Sequence, residues 1–472
     1  MANVDQSSMW AQLMQAMQSR LFPGGLGADM AFSLASVARP VTLDASDPGF
    51  MNYGVYALGD IVPANGPTYN PASSDPEPSS LLTSYSQFLN WIDLGGDSNP
   101  NLQAQLNNAI NGSGGQQRTG PGLRVIQAAY SNQYATAVKY YLEQKMRAAS
   151  VGCTITPFWP WVQSNFPVFS EAQNQLNGAQ SQVDQLSRQL YGPGYTPIQL
   201  ACHLTSMNGG AQDPMRQNSC NMPVTSLAYV PPGSTAAVIE AAAAATTGVL
   251  AGLASFFVPL YSLDPAYAAT CAEWQQASAN GQIGEALHLD SHSSDYDYQE
   301  SGWNASAKAS WGSFFWSANA LSSNVQTVSV DTSSPDFSVD VEFVGMKALG
   351  ITPGPWWQNG SLLSTFRDKL KPGAPDFFSD NGALARRASQ VVLGFEPTIT
   401  VKLSAADYNQ LKSSWQSQAS TSVGVGPFSF SDAGWPGLSK DAIHYDDATS
   451  TLKIGPIESP MPVLLGVVSS KL

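Results

Sequence analysis

The chain has 472 residues with a hydrophobic content of 43%, too long for one ordinary hydrophobic core and apolar enough to fill two or three. Charged residues make up 12%, roughly half the globular share, and Ser, Asn, Gln and Gly stand in their place. The 35 acidic against 21 basic side chains give a net charge of −14, a field that repels phosphate backbones and excludes nucleic acid as the expected partner.

Residues 1–20 lack the basic start, apolar run and small-residue cleavage site of a secretory signal. The expectation is a cytoplasmic protein or one exported by a non-classical route. Residues 1–115 are rich in Pro, Gly and Asn, with short helices expected at 8–21 and 80–94, and read as an irregular N-terminal cap. The polar run NGSGGQQRTGPG at 111–122 has the composition of an exposed boundary loop.

A helical domain is expected over 116–284. Its first helix runs from about residue 123 to 149, with Tyr134, Val138, Tyr141, Leu142 and Met146 at helical spacing. Its second carries Phe169, Ala172, Leu176, Ala179, Val183, Leu186 and Leu190, a three-four spacing that places all of them on one seam. The back of that helix is mostly Gln, Asn and Ser. The pair reads as a long helical hairpin, each arm burying its seam against the other or a third element. Ser170 and Gln173 form a capping-box pattern at the start of the second arm, and Gly192-Pro193-Gly194 stops it. Between the arms, Pro157, Pro160 and Pro167 alternate with Phe158, Trp159, Trp161 and Phe166, so the connection turns while burying aromatics.

Residues 236–261 read as a third, central apolar helix. From Ala241 to Val258 there is no charge, just reaching the roughly 18 residues of a bilayer-crossing helix. Its alanine content favours a buried helix in the helical domain over a span. Of the four cysteines, Cys202 and Cys220 bracket a Gly/Asn/Met loop. They are candidates for a disulfide in an oxidising compartment and otherwise small buried hydrophobes.

From about residue 285 the hydrophobic period changes to two. Trp303, Ala305, Ala307, Ala309 and Trp311 alternate with polar neighbours, as do Val339, Val341 and Phe343. Such patterns are half-buried, antiparallel strands with one wet face. Further strands are expected at 325–330, 391–403, 421–430, 451–454 and 463–468, with one helix opened by Ser404-Ala405-Ala406-Asp407. The fold class is therefore α+β: an N-terminal and central helical domain with a long helical hairpin, followed by a C-terminal antiparallel β-rich domain, sandwich or open sheet, over 285–472.

The sharpest chemical candidate is His288-Leu289-Asp290-Ser291-His292. On a strand, positions i, i+2 and i+4 share a face, so His288, Asp290 and His292 would present two imidazoles and a carboxylate suited to a divalent metal such as zinc, copper or iron. Asp295 and Asp297 lie near enough to add an oxygen ligand. His203 and His444 have no nucleophile at a diagnostic spacing, and no nucleophile elbow, phosphate-binding glycine loop or dinucleotide fingerprint occurs. Trp356-Trp357 after Pro353-Gly354-Pro355 are candidates for a sugar-stacking or membrane-interface platform. Trp303 and Trp311, on a strand long enough for a barrel stave, are further candidates for membrane or ligand contact.

Two classes of function follow. One is a membrane-active, pore-forming-like protein or a self-associating interaction protein, with membrane lipid or a second copy of the chain as partner. The other is a metal-dependent enzyme built on His288, Asp290 and His292.

Overall fold

The computed structural model describes residues 7–41, 43, 48–60, 62, 68–69, 80–95, 99–112, 120–127, 129–130, 132–133, 136–137, 140, 144, 158–205, 219–223, 255–290, 314–319, 325–380, 382–416, 421–430, 442–456 and 462–472. Its helices are α1 (Ser7–Leu21), α2 (Pro48–Gly59), α3 (Leu81–Trp91), α4 (Pro100–Asn111), α5 (Phe158–Asn165), α6 (Pro167–Tyr191), α7 (Thr196–Thr205), α8 (Tyr267–Ala279), α9 (Ser361–Phe366) and α10 (Ala405–Gln416). The strands are β1 (Met30–Pro40), β2 (Thr68–Tyr69), β3 (Ser219–Pro223), β4 (Ser255–Pro259), β5 (Tyr261–Leu263), β6 (Leu287–Asp290), β7 (Phe315–Asn319) and β8 (Val325–Thr327). They continue with β9 (Ser338–Pro353), β10 (Arg386–Lys402), β11 (Thr421–Val425), β12 (Phe428–Phe430), β13 (Ile443–Asp446), β14 (Thr451–Ile454) and β15 (Val463–Lys471). The class is α+β, and the sheet is mostly antiparallel.

The main sheet runs β13-β14-β10-β15-β1-β2; β9 pairs with β10, and β5 and β6 pair with β9. Among its ladders between described residues only β1–β2 is parallel. Residues 1–115, which read as an irregular cap, thus supply an 11-residue strand, β1, that pairs with β15 from Met30↔Ser470 to Pro40↔Val463. The period-two signal in Met30, Phe32 and Leu34 is short, which is why composition masked it.

Both faces of this sheet are covered. One core gathers Leu13 and Met17 of α1, Trp415 of α10, Phe428 of the small sheet β12-β11-β7-β8, and Val463, Leu465 and Val468 of β15. The other gathers Tyr85 and Phe88 of α3, Trp274 of α8, Trp356, and Leu464 and Val467 of β15. The alternation read at Val339, Val341 and Phe343 holds, with Ser338, Asp340 and Glu342 half-buried between them, whereas the middle residues of β10 and β15 are buried on both faces. Helices and a second sheet close the face that would otherwise be wet.

The alternation changes phase in mid-sheet. Val339, Val341 and Phe343 face the first core, while Leu349 and Ile351 of the same odd series face the second. The change falls between the pairs Phe395↔Gly345 and Pro397↔Phe343, where Glu396 takes a φ of 46° and Pro397 has no N–H for a ladder bond. Gly345 is required there: a Cβ would stand 1.9 Å from the Trp274 Nε1, and Trp274 stacks on Phe395 at 6.0 Å.

α6 is one continuous helix of 25 residues. Phe169, Leu176, Val183 and Leu190 are buried and Ala172, Ala179 and Leu186 half-buried in a third core, which also takes Leu106 of α4, Trp161 of α5 and Leu123, Tyr130 and Ala137. The Ser170–Gln173 capping box does not form: Pro167 occupies the first turn, Phe166 is the N-cap, and no side chain caps the helix, because a proline at the first helical position starts the helix earlier. Gly192 ends it at a φ of 66°. Ser404 does cap α10, accepting from the Asp407 amide at 3.2 Å.

Two expectations for the apolar run change. Ser255–Pro259 is a strand paired with Ser219–Pro223, not the end of a helix, since Phe256, Phe257 and Val258 favour a pleated surface and Pro259 follows. Residues 236–254 lie outside the described residues. Among the described residues no helix is long and apolar enough to cross a membrane.

Gly345→Ala is expected to displace the Trp274 ring and cost about 1–3 kcal/mol through overpacking. Urea unfolding followed by tryptophan fluorescence checks it; an unchanged midpoint would mean that the phase change needs no glycine.

Candidate functional site

The register of β6 against β9 sets His288 opposite Asp340, with Leu287 and Leu289 pointing into the first core. Directly opposed residues share a face, and Asp340 Oδ1 lies 2.6 Å from His288 Nδ1. On the same strand, Asp290 Oδ2 is 3.5 Å from His288 Nε2, the i, i+2 relation read from the sequence. The imidazole is flanked by two carboxylates and is 57% exposed. Its pKa is raised above 6.5, first through the hydrogen bond to Asp340; burial opposes this as the next-largest effect, and the charges of Asp340 and Asp290 add to the rise. Gln12 of α1 finishes the strand by imitating a neighbouring backbone: its amide donates to the Asp290 carbonyl (3.1 Å) and accepts from the Asp290 N–H (3.2 Å).

His292, Asp295 and Asp297 lie outside the described residues. Among the described residues no group of three or more His, Cys, Asp or Glu side chains is arranged to hold a metal. Asp340 is the carboxylate that sequence reasoning missed. It stands 52 positions from His288, and only a known strand register brings the two together.

The tryptophans divide. Trp303 and Trp311 lie outside the described residues. Trp356 and Trp357 are 0% and 3% exposed. Trp356 Nε1 donates to the Leu260 carbonyl at 2.9 Å, and Tyr85 lies 4.8 Å from Trp357 and Tyr261 5.7 Å from Trp356. These rings close the second core, and neither stands out on the open surface as a platform for a sugar or a headgroup. Pro355 starts the short helical turn over Pro355–Gly360 that turns them inward.

A second polar cluster was not read from the sequence at all. Asp60, buried at the end of α2, accepts from the Leu82 amide (3.0 Å), the Tyr261 hydroxyl (2.8 Å) and the Ser80 hydroxyl. Burial raises its carboxyl despite those donors. Ser80 is also the N-cap of α3, so one carboxylate joins α2, α3 and β5. Asn52 works beside it, accepting from the Tyr261 amide at 3.0 Å and donating to the Pro259 carbonyl at 3.2 Å.

Cys202 stands as a thiol, not in a bridge to Cys220; burial, then Asp184, pushes it up to about 12, far from the thiolate range. His444 is exposed on β13, and the His203 side chain lies outside the described residues. Along α6 and α7 a polar groove of about 500 Å³ is lined by Ser181, Asp184, Gln185, Arg188, Gln189 and Gln199, with Arg188 Nε donating to Gln199 Oε1 at 2.8 Å. Comparison with protein-family models, with curated proteins and with solved structures finds no match.

Because the folded pKa of His288 is raised, its protonated form contributes stability that is complete below 6.5 and lost as pH rises through the raised value. An NMR titration is expected to place the His288 midpoint above 6.5, and Asp340→Asn to lower it. A midpoint indifferent to Asp340→Asn would separate the two side chains in solution.

Proposed function

We propose that the protein is a self-associating interaction protein, in which the two-core sheet is the scaffold and the helical layer around α6 makes the contact. The helix expected from about residue 123 to 149 and α6 act in this reading as the two arms of a hairpin, which the 5.3 Å approach of Tyr130 to Phe169 supports. The observation that carries the function is the location of exposed apolar side chains. Of the five large hydrophobics exposed among the described residues, Val125, Tyr140, Val168 and Leu200 belong to this layer or to α7. Tyr140 lies 6.3 Å from Phe166 and 5.8 Å from Trp161, forming an aromatic corner beside Val168. Glu171, Asp184 and Arg188 are the charges of α6, so covering its outer face desolvates mainly amides and hydroxyls, which can exchange hydrogen bonds with a second copy.

Sedimentation velocity is expected to show a rise in mass with concentration, and Val168→Asp with Tyr140→Asp to weaken association at least about tenfold by burying charge in the contact. A monomer at all concentrations contradicts the proposal. Dye release from zwitterionic liposomes, abolished by the same variant, would assign the surface to membrane lipid, the membrane-active reading, and would also contradict it.

A second reading, a metal-dependent enzyme, is favoured by one feature. Asp340 on His288 Nδ1 leaves Nε2 aimed toward Asp290, the orientation that an outer carboxylate imposes on a metal-ligating histidine. His292 would complete the set, and a divalent zinc, copper or iron ion would supply an activated water or a redox centre. Elemental analysis decides this reading: stoichiometric metal lost in His288→Ala/His292→Ala supports it, and metal absent or unchanged removes it.

A further inference from the structure

Three adjacent strands of the main sheet end together beneath α9. Arg387 of β10 is paired with Ser470 of β15, and β9 arrives beside them before turning into Pro355–Gly360 and α9. A cavity of about 320 Å³ lies there, and its lining holds three cations, Arg367, Arg387 and Lys471, with Ser470, Trp357 and Phe378. Three cations in one cavity is a concentration of charge in a chain with 21 basic residues and a net charge of −14.

None of the three is neutralised by a carboxylate among the described residues. Arg387 gives one donor to the Ala388 carbonyl at 3.2 Å, and Arg367 lies over the Phe378 ring at 4.8 Å. Burial lowers the pKa of Arg387, so its charge stands in a partly desolvated place. A guanidinium so placed keeps further fork-shaped donors beyond the one given to Ala388, and an oxyanion satisfies such donors with two parallel bonds. The aromatic walls beside the cations suit an apolar body attached to that oxyanion.

We propose that this cavity is a binding site for a small molecule carrying an oxyanion, carboxylate or phosphate, on an apolar or aromatic body. Arg387 takes the oxyanion at the base, Lys471 adds charge at the rim, and Arg367 with Phe378 covers the body. None of the residues lining the cavity belongs to α6 or α7, so the site stands or falls independently of self-association.

Isothermal titration calorimetry of the full chain at low ionic strength, with phenyl phosphate, benzoate and inorganic phosphate as probes, tests it. The expected result is saturable one-to-one binding of phenyl phosphate or benzoate, weaker binding of inorganic phosphate, and an affinity about tenfold lower in Arg387→Gln and in Lys471→Gln. The Lys471 ammonium is exposed, so Lys471→Gln keeps the fold and decides the matter should Arg387→Gln unfold. Absence of saturable heat from all three probes, or affinities unchanged in the folded variants, overturns the proposal. Binding of inorganic phosphate as tight as phenyl phosphate would remove the aromatic part of it.

Discussion

Strand β15 must satisfy two cores and two neighbouring strands at once, and the rest of the molecule is arranged around that constraint. It pairs with β10 on one edge and with β1 on the other, while Leu465 and Val468 face one core and Leu464 and Val467 the other. Close approach is part of the same constraint: a Cβ on Gly466 would stand 2.5 Å from the Ser33 carbonyl, so β1 can lie against β15 only where that residue has no side chain. Residues near opposite ends of the sequence are thereby committed to one sheet. Contacts of such long sequence separation make slow folding the expectation.

With the central strands fixed on both faces, the elements outside them have defined places. Gln12 completes β6 as an extra strand would, Asp60 collects α2, α3 and β5, and the phase change at Gly345 and Glu396 lets β9 serve one core at each end. The helical layer is different in kind. Its core rests on one seam of α6 and on short neighbours, and its outer side is amide-rich with an apolar corner. A body held on two faces suits a scaffold, and a layer with an uncommitted side suits a contact.

The sequence was most readable where one periodicity governs a long element. The α6 seam, the alternation at Val339, Val341 and Phe343, and the start of α10 at Ser404 follow from side-chain spacing and capping chemistry alone. It was least readable where a neighbour decides. β1 becomes a strand because β15 offers it an edge, Trp356 and Trp357 turn inward because Tyr85 and Tyr261 are there, and Asp340 reaches His288 only through register. The capping box at Ser170 failed for a local reason, since Pro167 three residues earlier is a stronger start signal. At the candidate site, the relation of His288 to Asp290 was legible and the second carboxylate was not.

Hydrogen exchange measured by mass spectrometry at a dilute and a concentrated condition tests the division between scaffold and contact layer most directly. The expected result is that β10 and β15 exchange most slowly at both concentrations, while α6, α7 and the aromatic corner gain protection only when concentrated. Protection gained on the sheet instead, or a β15 that exchanges as fast as α6, would contradict it.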